Sequence, residues 1–319
     1  MPQIVGDWGA IVGNPLIAEQ CQYNKEDQAR WAAEHINRLN PDQHAAFEKI
    51  TSAITNKTGE IFFLHGPGGT SKTYLYNTLC YYLFSQEKIV LCVASLGIAA
   101  LLLKGGHTAH SAFKIPIPCH ESSVCGFTKS SHMGELICKT DLVIWDEAPM
   151  QHRHNMETVD HSFKDMCSCD KPFGGLTCVF SGDFQQILPV IFKGSHAQIV
   201  GACIQRSILW RSMTILHLYQ NMHLNLNTSI EAEKNFAKWQ LEVGQGKYTD
   251  DGGSISLPEH FECSENTVES LINTIYPGIH TVGLSNDYFS ERTILCGINN
   301  DVDNFNKEVL EKFHGDVQI

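Results

Sequence analysis

The sequence predicts an α/β protein built on a parallel sheet, and two features of the chain predict it. Five short apolar runs recur along it: IFFL (61–64), IVLCVA (89–94), LVIW (142–145), LTCVF (176–180) and MTILHL (213–218). Runs of this length without polar alternation mark strands buried on both faces. Helix-length segments such as Lys72 to Phe84 and Ile98 to Leu103 separate several of the runs. Strands that alternate with helices close a parallel sheet with helices packed on its faces.

Taken in order, residues 1–35 mix turn residues with a polar helical stretch, Asn24 to Asn37, and read as an N-terminal extension or the end of a lost domain. A helix starts from Leu39, with Asn40 or Asp42 as its cap and Ala45, Ala46, Phe47 and Ile50 on its apolar face. The five strands and their helices then fill residues 36–220, the first domain. Past Asn221 the texture changes. A helix is expected over Ile230 to Val243, turn pairs follow at Asp251-Gly252-Gly253 and Pro277-Gly278, a strand at ERTILCG (291–297), and a last helix over Asp303 to Phe313. Residues 221–319 hold too few elements to close a second α/β domain, so a partial one is expected.

Composition narrows the function classes. Of 319 residues, 43% are apolar and 18% charged, which is the balance of a folded protein with a sizeable core and excludes disorder along the whole chain. The longest apolar stretch, around Ile98 to Leu103, is far below the roughly 20 residues that cross a bilayer. The N-terminus MPQIVGDWGA lacks a basic region followed by an apolar run, so no secretory signal is expected. Twelve scattered cysteines then read as reduced thiols. The group Cys119, Cys125, His132 and Cys138, with Cys167 and Cys169 further on, lacks the paired spacing of a zinc knuckle, and ordinary cysteines are the better reading.

The net charge of −12 argues at first against a nucleic-acid partner, but it is unevenly spread. Residues 1–220 carry 17 basic and 19 acidic side chains, whereas residues 221–319 carry 6 and 16. The first domain is near neutral and leaves room for a local basic strip.

The chemistry-bearing segment is IFFLHGPGGTSKT (61–73), in which an apolar strand feeds a glycine-rich loop, then Lys72, Thr73 and an apolar helix. It nearly fits the Walker A pattern G-x-x-x-x-G-K-[ST]. Gly66, Pro67, Gly68, Gly69, Thr70 and Ser71 form the loop whose backbone N–H groups would curl around the β-phosphate, helped by the helix N-terminus. Lys72 would reach the β- and γ-phosphates and the Thr73 hydroxyl would ligate Mg²⁺. Ser71 stands where the pattern has its last glycine. DLVIWDEAPM (141–150) is a strand ending in two carboxylates, the Walker B arrangement. Asp146 would hold the Mg²⁺ shell and Glu147 would orient or activate the attacking water. In LTCVFSGDFQQILPV (176–190) a third strand ends at Gly182-Asp183, and Gln186 would sense the γ-phosphate or its water; a plain polar turn is the alternative.

Together these blocks resemble the petite integration frequency family of superfamily 1 DNA helicases, most of all the branch carried by Helitron transposons. The resemblance runs over roughly residues 36–315. It includes LNPDQHAAF (39–47), GPGGTSKTYLY (66–76), ASLGIAALLLKGGHTAHSAFKIPI (94–117), WDEAPM (145–150), FGGLTCVFSGDFQQILPV (173–190), LYQNMHL (218–224) and TILCGINNDVDNFN (293–306). It implies a RecA-like P-loop NTPase fold with an incomplete second RecA-like domain. It also implies an ATP- and Mg²⁺-dependent motor that moves 5′→3′ on single-stranded DNA and unwinds duplex at junctions, acting as a monomer in the nucleus, with family roles in DNA repair, recombination and telomere maintenance and no membrane partner. By the same resemblance Gln43 would read the adenine edge, Thr108, His110 and Phe113 would line the DNA path, and residues 119–139 would form a wedge insert. Each has a plain reading beside it: Thr108 and His110 capping a turn, Phe113 in the core.

The departures from the family pattern are Ser71, Leu96 in place of Thr, Gln185 in place of Arg, and His223 in place of an Arg expected to touch the γ-phosphate. The family's last two motifs, with the final arginine finger, would lie beyond Ile319. The expectation is therefore nucleotide binding, with slow hydrolysis and no processive unwinding by this chain alone. A catalytically weak nucleotide- or DNA-binding remnant is the alternative. A P-loop small-molecule kinase is disfavoured, because such kinases lack the GDFQQ and NMHL-type blocks.

Overall fold

The computed structural model describes residues 13–222, 224, 231–250, 253–255, 257–258, 261–263, 265–281, 283–285 and 287–313. The described residues fall into two compact units, one up to Gln245 and the other from Gly246.

The first unit is a six-stranded, wholly parallel sheet with helices on both faces. Its strands are β1 (Ile61–His65), β2 (Val90–Ala94), β3 (His107–Thr108), β4 (Leu142–Asp146), β5 (Thr177–Gly182) and β6 (Met213–His217), in the order β3-β2-β4-β5-β1-β6. Each of the five apolar runs forms a strand, with Ile89, Leu176 and Leu218 falling just outside β2, β5 and β6. The sixth, β3, is a two-residue edge strand with no apolar run of its own.

The helices before β6 are α1 (Pro15–Gln20), α2 (Lys25–Ile36), α3 (Pro41–Thr55), α4 (Lys72–Phe84), α5 (Gly97–Leu101), α6 (Ala109–Phe113), α7 (His132–Lys139), α8 (Arg153–Cys167) and α9 (His196–Ala202), with α10 (Glu231–Gly244) after it. Successive strand side chains point to opposite faces, and the core splits accordingly. Phe62, Leu64, Cys92, Ala94, Ile144 and Val179 pack with Phe47 and Ile50 of α3 and Leu75, Leu79 and Leu83 of α4. Ile61, Phe63, Val93, Val143, Trp145, Cys178 and Phe180 pack on the other face with Phe113 of α6 and Met156, Val159 and Phe163 of α8.

The local reasons are legible. Asn40 caps α3 through a reciprocal capping box with Gln43, and Pro41 occupies its first turn. The buried face of α3 is Gln43, Ala46, Phe47, Ile50, Ala53 and Ile54, while Ala45, expected inward, is exposed. Asn24 caps α2 by accepting from the Asp27 N–H.

The second unit holds α11 (Val268–Ile275), α12 (Asp287–Ser290) and α13 (Asn299–Lys312), tied in part by a 2.8 Å ion pair from Lys312 to Glu269. The strand expected over 291–297 is absent: that segment is irregular. Among the described residues no helix is long and apolar enough to cross a membrane.

Candidate nucleotide site

Because every strand of the sheet is parallel, the carboxyl ends of β1, β4 and β5 emerge along one edge, with β5 between the other two. The three motifs leave the sheet there, which is where open α/β sheets hold ligands.

The chain leaves β1 at His65 and turns through Gly66 to Ser71 before α4 begins at Lys72. The Thr70 hydroxyl donates to the Pro67 carbonyl at 2.8 Å, and Lys72 Nζ donates to the Gly66 carbonyl at 2.7 Å, so the lysine lies back along its own loop. Gly69 has φ +83°, and a side-chain carbon there would fall 2.6 Å from Asn221 Oδ1. Ser71 has φ 55° and ψ 46° with no side-chain cap. That is the left-handed conformation glycine adopts without penalty, so the pattern's glycine has a backbone reason and Ser71 carries strain in its place.

Gln43 braces the loop. It is buried, its Oε1 accepts from the Asn40 N–H at 3.1 Å, and its Nε2 donates to the carbonyls of Thr70 at 3.1 Å and Ser71 at 3.5 Å. Both ends of the Gln43 carboxamide are engaged by the helix cap and the loop, so an adenine edge would be read by exchange of these contacts. A second brace comes from the segment after β6. Leu218 N–H donates to His65 O at 2.8 Å, Tyr219 N–H to Asp42 Oδ2 at 3.1 Å and Met222 N–H to Gly69 O at 2.9 Å. His223, the next residue, lies outside the described residues.

At the end of β4, Asp146 is buried and its Oδ1 accepts from Ser181 Oγ at 2.8 Å. Glu147 follows in the left-handed region, at φ 52°. Its Oε2 is buried with no hydrogen-bond partner. The neighbouring strand β5 ends in Gly182, where a side-chain carbon would collide with Pro149 Cδ. Burial pushes the Glu147 carboxyl above its ordinary pKa, the Asp146 and Asp183 carboxylates push the same way, and Lys72 opposes them. A buried carboxylate oxygen without a donor fits a water or a metal-bound oxygen as its partner.

After β5, Asp183 is buried and accepts from the Gln185 N–H at 3.0 Å and from Gln186 Nε2 at 3.4 Å. Gln186 is therefore exposed at the same edge as Lys72 and Glu147, and held by Asp183. Thr73 occupies the second position of α4. The structure thus brings together Gly66 to Thr73, Asp146, Glu147 and Gln186. Ser181 and Tyr76 are polar residues that sequence reasoning passed over, and Asp183, read there only as a strand end, was given no role. Ser181 could have been found once β4 and β5 were paired, because Trp145 stands opposite Phe180 and the next residues on each strand are Asp146 and Ser181. Tyr76 is fully buried, and its phenol is pushed well up by burial first and by Asp146 second.

The three residues expected along a DNA path divide. Thr108 caps α6, accepting from the Ser111 N–H at 3.4 Å. His110 is half-buried, and its Nε2 lies 3.4 Å from Asn155 Nδ2. Phe113 follows the second of its two readings, as a core residue: it is 1% exposed and packs edge-on against Phe163 at 5.3 Å. The cysteines of the weighed cluster make ordinary contacts, with Cys119 Sγ 3.0 Å from Thr158 Oγ1 and the Cys125 N–H donating to Ser162 Oγ at 2.8 Å.

The family model of the PIF1-like helicases matches residues 38–253, more than half of the chain. The chain belongs to the PIF1-like helicase family. Among its relatives, the ATP-dependent DNA helicase Pif1 of Psychrobacter is 36% identical over 149 residues, 46% of this chain and 22% of that protein. The ATP-dependent DNA helicase RRM3 of Saccharomyces cerevisiae is 27% identical over 175 residues, 51% of this chain and 24% of that protein. The chain thus spans under a quarter of the length of these curated relatives. Solved PIF1-family structures share its RecA-like fold. That of Bacteroides Pif1 with ADP-AlF3 and single-stranded DNA superposes with a TM-score of 0.57 at 22% identity, covering 86% of this chain and 57% of that one. That of Candida albicans Pif1 gives 0.58 at 19% identity, covering 87% and 56%.

Proposed function

We propose that this chain is the ATP-binding part of a DNA helicase, taking Mg²⁺-ATP at the carboxyl edge of its sheet and coupling hydrolysis to movement along single-stranded DNA. The observation that carries this reading is the convergence at one sheet edge of Lys72 on its glycine loop, Asp146 beside Glu147, and Gln186 held by Asp183. In this reading the loop N–H groups and the start of α4 hold the phosphates, and Lys72 exchanges its bond to the Gly66 carbonyl for phosphate oxygens.

Thr73 and Asp146 are the residues that would hold Mg²⁺, with nucleotide phosphates and water supplying its other oxygens. The metal would neutralise charge on the β- and γ-phosphates. Glu147 takes the proton of the attacking water, and Gln186 orients that water or the γ-phosphate. The orphaned Glu147 Oε2 and the Ser181-held Asp146 are the donor set such a site needs. Gln43 serves by holding Thr70 and Ser71 in place. Thr108 and His110 are proposed to face the DNA strand, with Phe113 supporting them from the core. Domain limits at 36–220 and 221–319, action at duplex junctions, a monomeric state and nuclear residence remain part of the proposal.

The test is phosphate release with and without single-stranded DNA. DNA-stimulated release that Lys72→Ala and Glu147→Gln both abolish supports the reading. Release that is indifferent to DNA, or that survives both substitutions, overturns it. A second reading, binding with little turnover, is favoured by Ser71: a residue in the left-handed conformation stands in the phosphate loop where the family pattern has glycine. Saturable nucleotide binding without phosphate release would select it.

A further inference from the structure

Two buried carboxamides lie just beyond the carboxylates of β4, and the nucleotide site as described does not use them. Gln151 is 9% exposed and Asn155 7%, close to the fully buried Trp145. Burying an amide among apolar side chains costs free energy unless its donors and acceptors are met, so their partners are informative.

Those partners form a continuous chain. The Ser95 N–H donates to the Asp146 carbonyl at 3.0 Å, and Ser95 Oγ accepts from Trp145 Nε1 at 3.3 Å, so Ser95 is pinned to the end of β4 by two bonds. Gln151 Nε2 donates to the Ser95 carbonyl at 3.4 Å. Asn155 Nδ2 donates to Gln151 Oε1 at 2.6 Å, and the same nitrogen lies 3.4 Å from His110 Nε2. Its two hydrogens serve one partner each, which requires the His110 Nε2 to be an acceptor and places the ring proton on Nδ1.

The covalent path runs the same way. Glu147, in its left-handed conformation, leads through the single turn Ala148–Met150 directly to Gln151. Any displacement of the Asp146–Glu147 corner is therefore transmitted to Gln151 both by the backbone and through Ser95. At the far end, α6 is anchored by Phe113 in the core, and its polar side presents Thr108 and His110.

We propose that Gln151 and Asn155 are positioning residues that couple the nucleotide site to the DNA-facing segment around His110. The inference rests on the reading given under Proposed function, because it needs a nucleotide at one end and single-stranded DNA at the other. Neither residue touches a reacting atom. Their part is to make the positions of Glu147 and His110 depend on each other, which thermodynamically is a reciprocal change in affinity between two ligands.

The experiment measures the affinity of the chain for a labelled oligodeoxythymidine, with and without a saturating non-hydrolysable ATP analogue and Mg²⁺. The ratio of the two dissociation constants is the coupling factor. For the unsubstituted chain it is expected to depart from unity by about 5-fold or more. In Asn155→Leu and in Gln151→Met it returns to near 1, while each ligand bound alone keeps its affinity. The double variant behaves like either single one, because one broken link already opens the chain. A general loss of packing would weaken both ligands and leave no such pattern.

Coupling that persists in both variants overturns the inference and leaves the helicase reading intact. So does independent binding of both ligands by the unsubstituted chain. Failure of that chain to bind either ligand overturns the helicase reading, and the inference with it. If both variants fail to fold, ¹⁵N chemical shifts of His110 in the unsubstituted chain decide. The proton on Nδ1 supports the relay, and the proton on Nε2 overturns it.

Discussion

Glu147 concentrates the site's chemistry in one side chain: a carboxylate half-buried between Asp146 and Gly182, with one oxygen lacking a donor. Its pKa is raised by burial and by neighbouring carboxylates. A base acts in its ionised form, so hydrolysis should fall on acidification while the pH is still above the ordinary carboxylate range of about 4.3. The acid limb of the kcat/KM profile measures this, and a limb at an ordinary carboxylate pKa would contradict it. Glu147→Gln should lower kcat by about 10²–10⁴-fold with nucleotide binding retained. Stability responds in the opposite sense. A folded-state pKa above the unfolded one means a contribution fully present below the unfolded pKa and lost as pH rises through the folded one. Glu147→Gln should therefore raise Tm at neutral pH, with the gain vanishing near pH 4. At Ser71 the left-handed conformation costs about 1–2 kcal/mol relative to glycine, offset by roughly 0.5–1 kcal/mol of glycine's backbone entropy. Ser71→Gly should thus be more stable by up to about 1.5 kcal/mol in denaturant melts, and bind nucleotide more tightly. The sequence showed Ser71 as a departure from a pattern; only the backbone angle explains why the pattern wants glycine.

Among the elements, α3 illustrates how a helix N-terminus becomes part of a neighbouring loop. Its capping box uses the Gln43 oxygen, leaving the Gln43 amide to hold Thr70 and Ser71. Gln43→Leu should leave the Asn40 N–H and the Thr70 carbonyl without their partner, costing about 1–3 kcal/mol in a denaturant melt and weakening nucleotide binding. Unchanged stability would mean that the brace is dispensable. The five apolar runs were readable as strands because burial on both faces removes polar alternation. Strand β3 was not, because its two residues gain their place from pairing with Val93 and Ala94 rather than from any pattern of their own. The run ERTILCG failed in the opposite way: apolar residues alone do not make a strand where, among the described residues, no neighbouring strand offers backbone partners. Lys72, Asp146 and Glu147 were legible because strand, turn and charge come in one contiguous block. Ser181 and Asn155 act across the sheet and between elements, and sequence order carries no such register. Phe113 was left between two readings because an aromatic ring serves a core and a stacked base equally well until its burial is seen.

At the scale of the molecule, the parallel sheet makes the account one claim: motifs separated by tens of residues leave the same edge and form one Mg²⁺-nucleotide site. The uneven charge fits this claim, since the excess acidity falls after residue 220 and the residues up to 220, which hold the sheet, are close to neutral. The most direct test is calorimetric titration of the chain with ATP and Mg²⁺, compared with Lys72→Ala. A single saturable site, weakened about 10–100-fold by loss of the charged hydrogen bonds of Lys72, is the expected result. Absence of saturable binding, or binding that Lys72→Ala leaves unchanged, would contradict it.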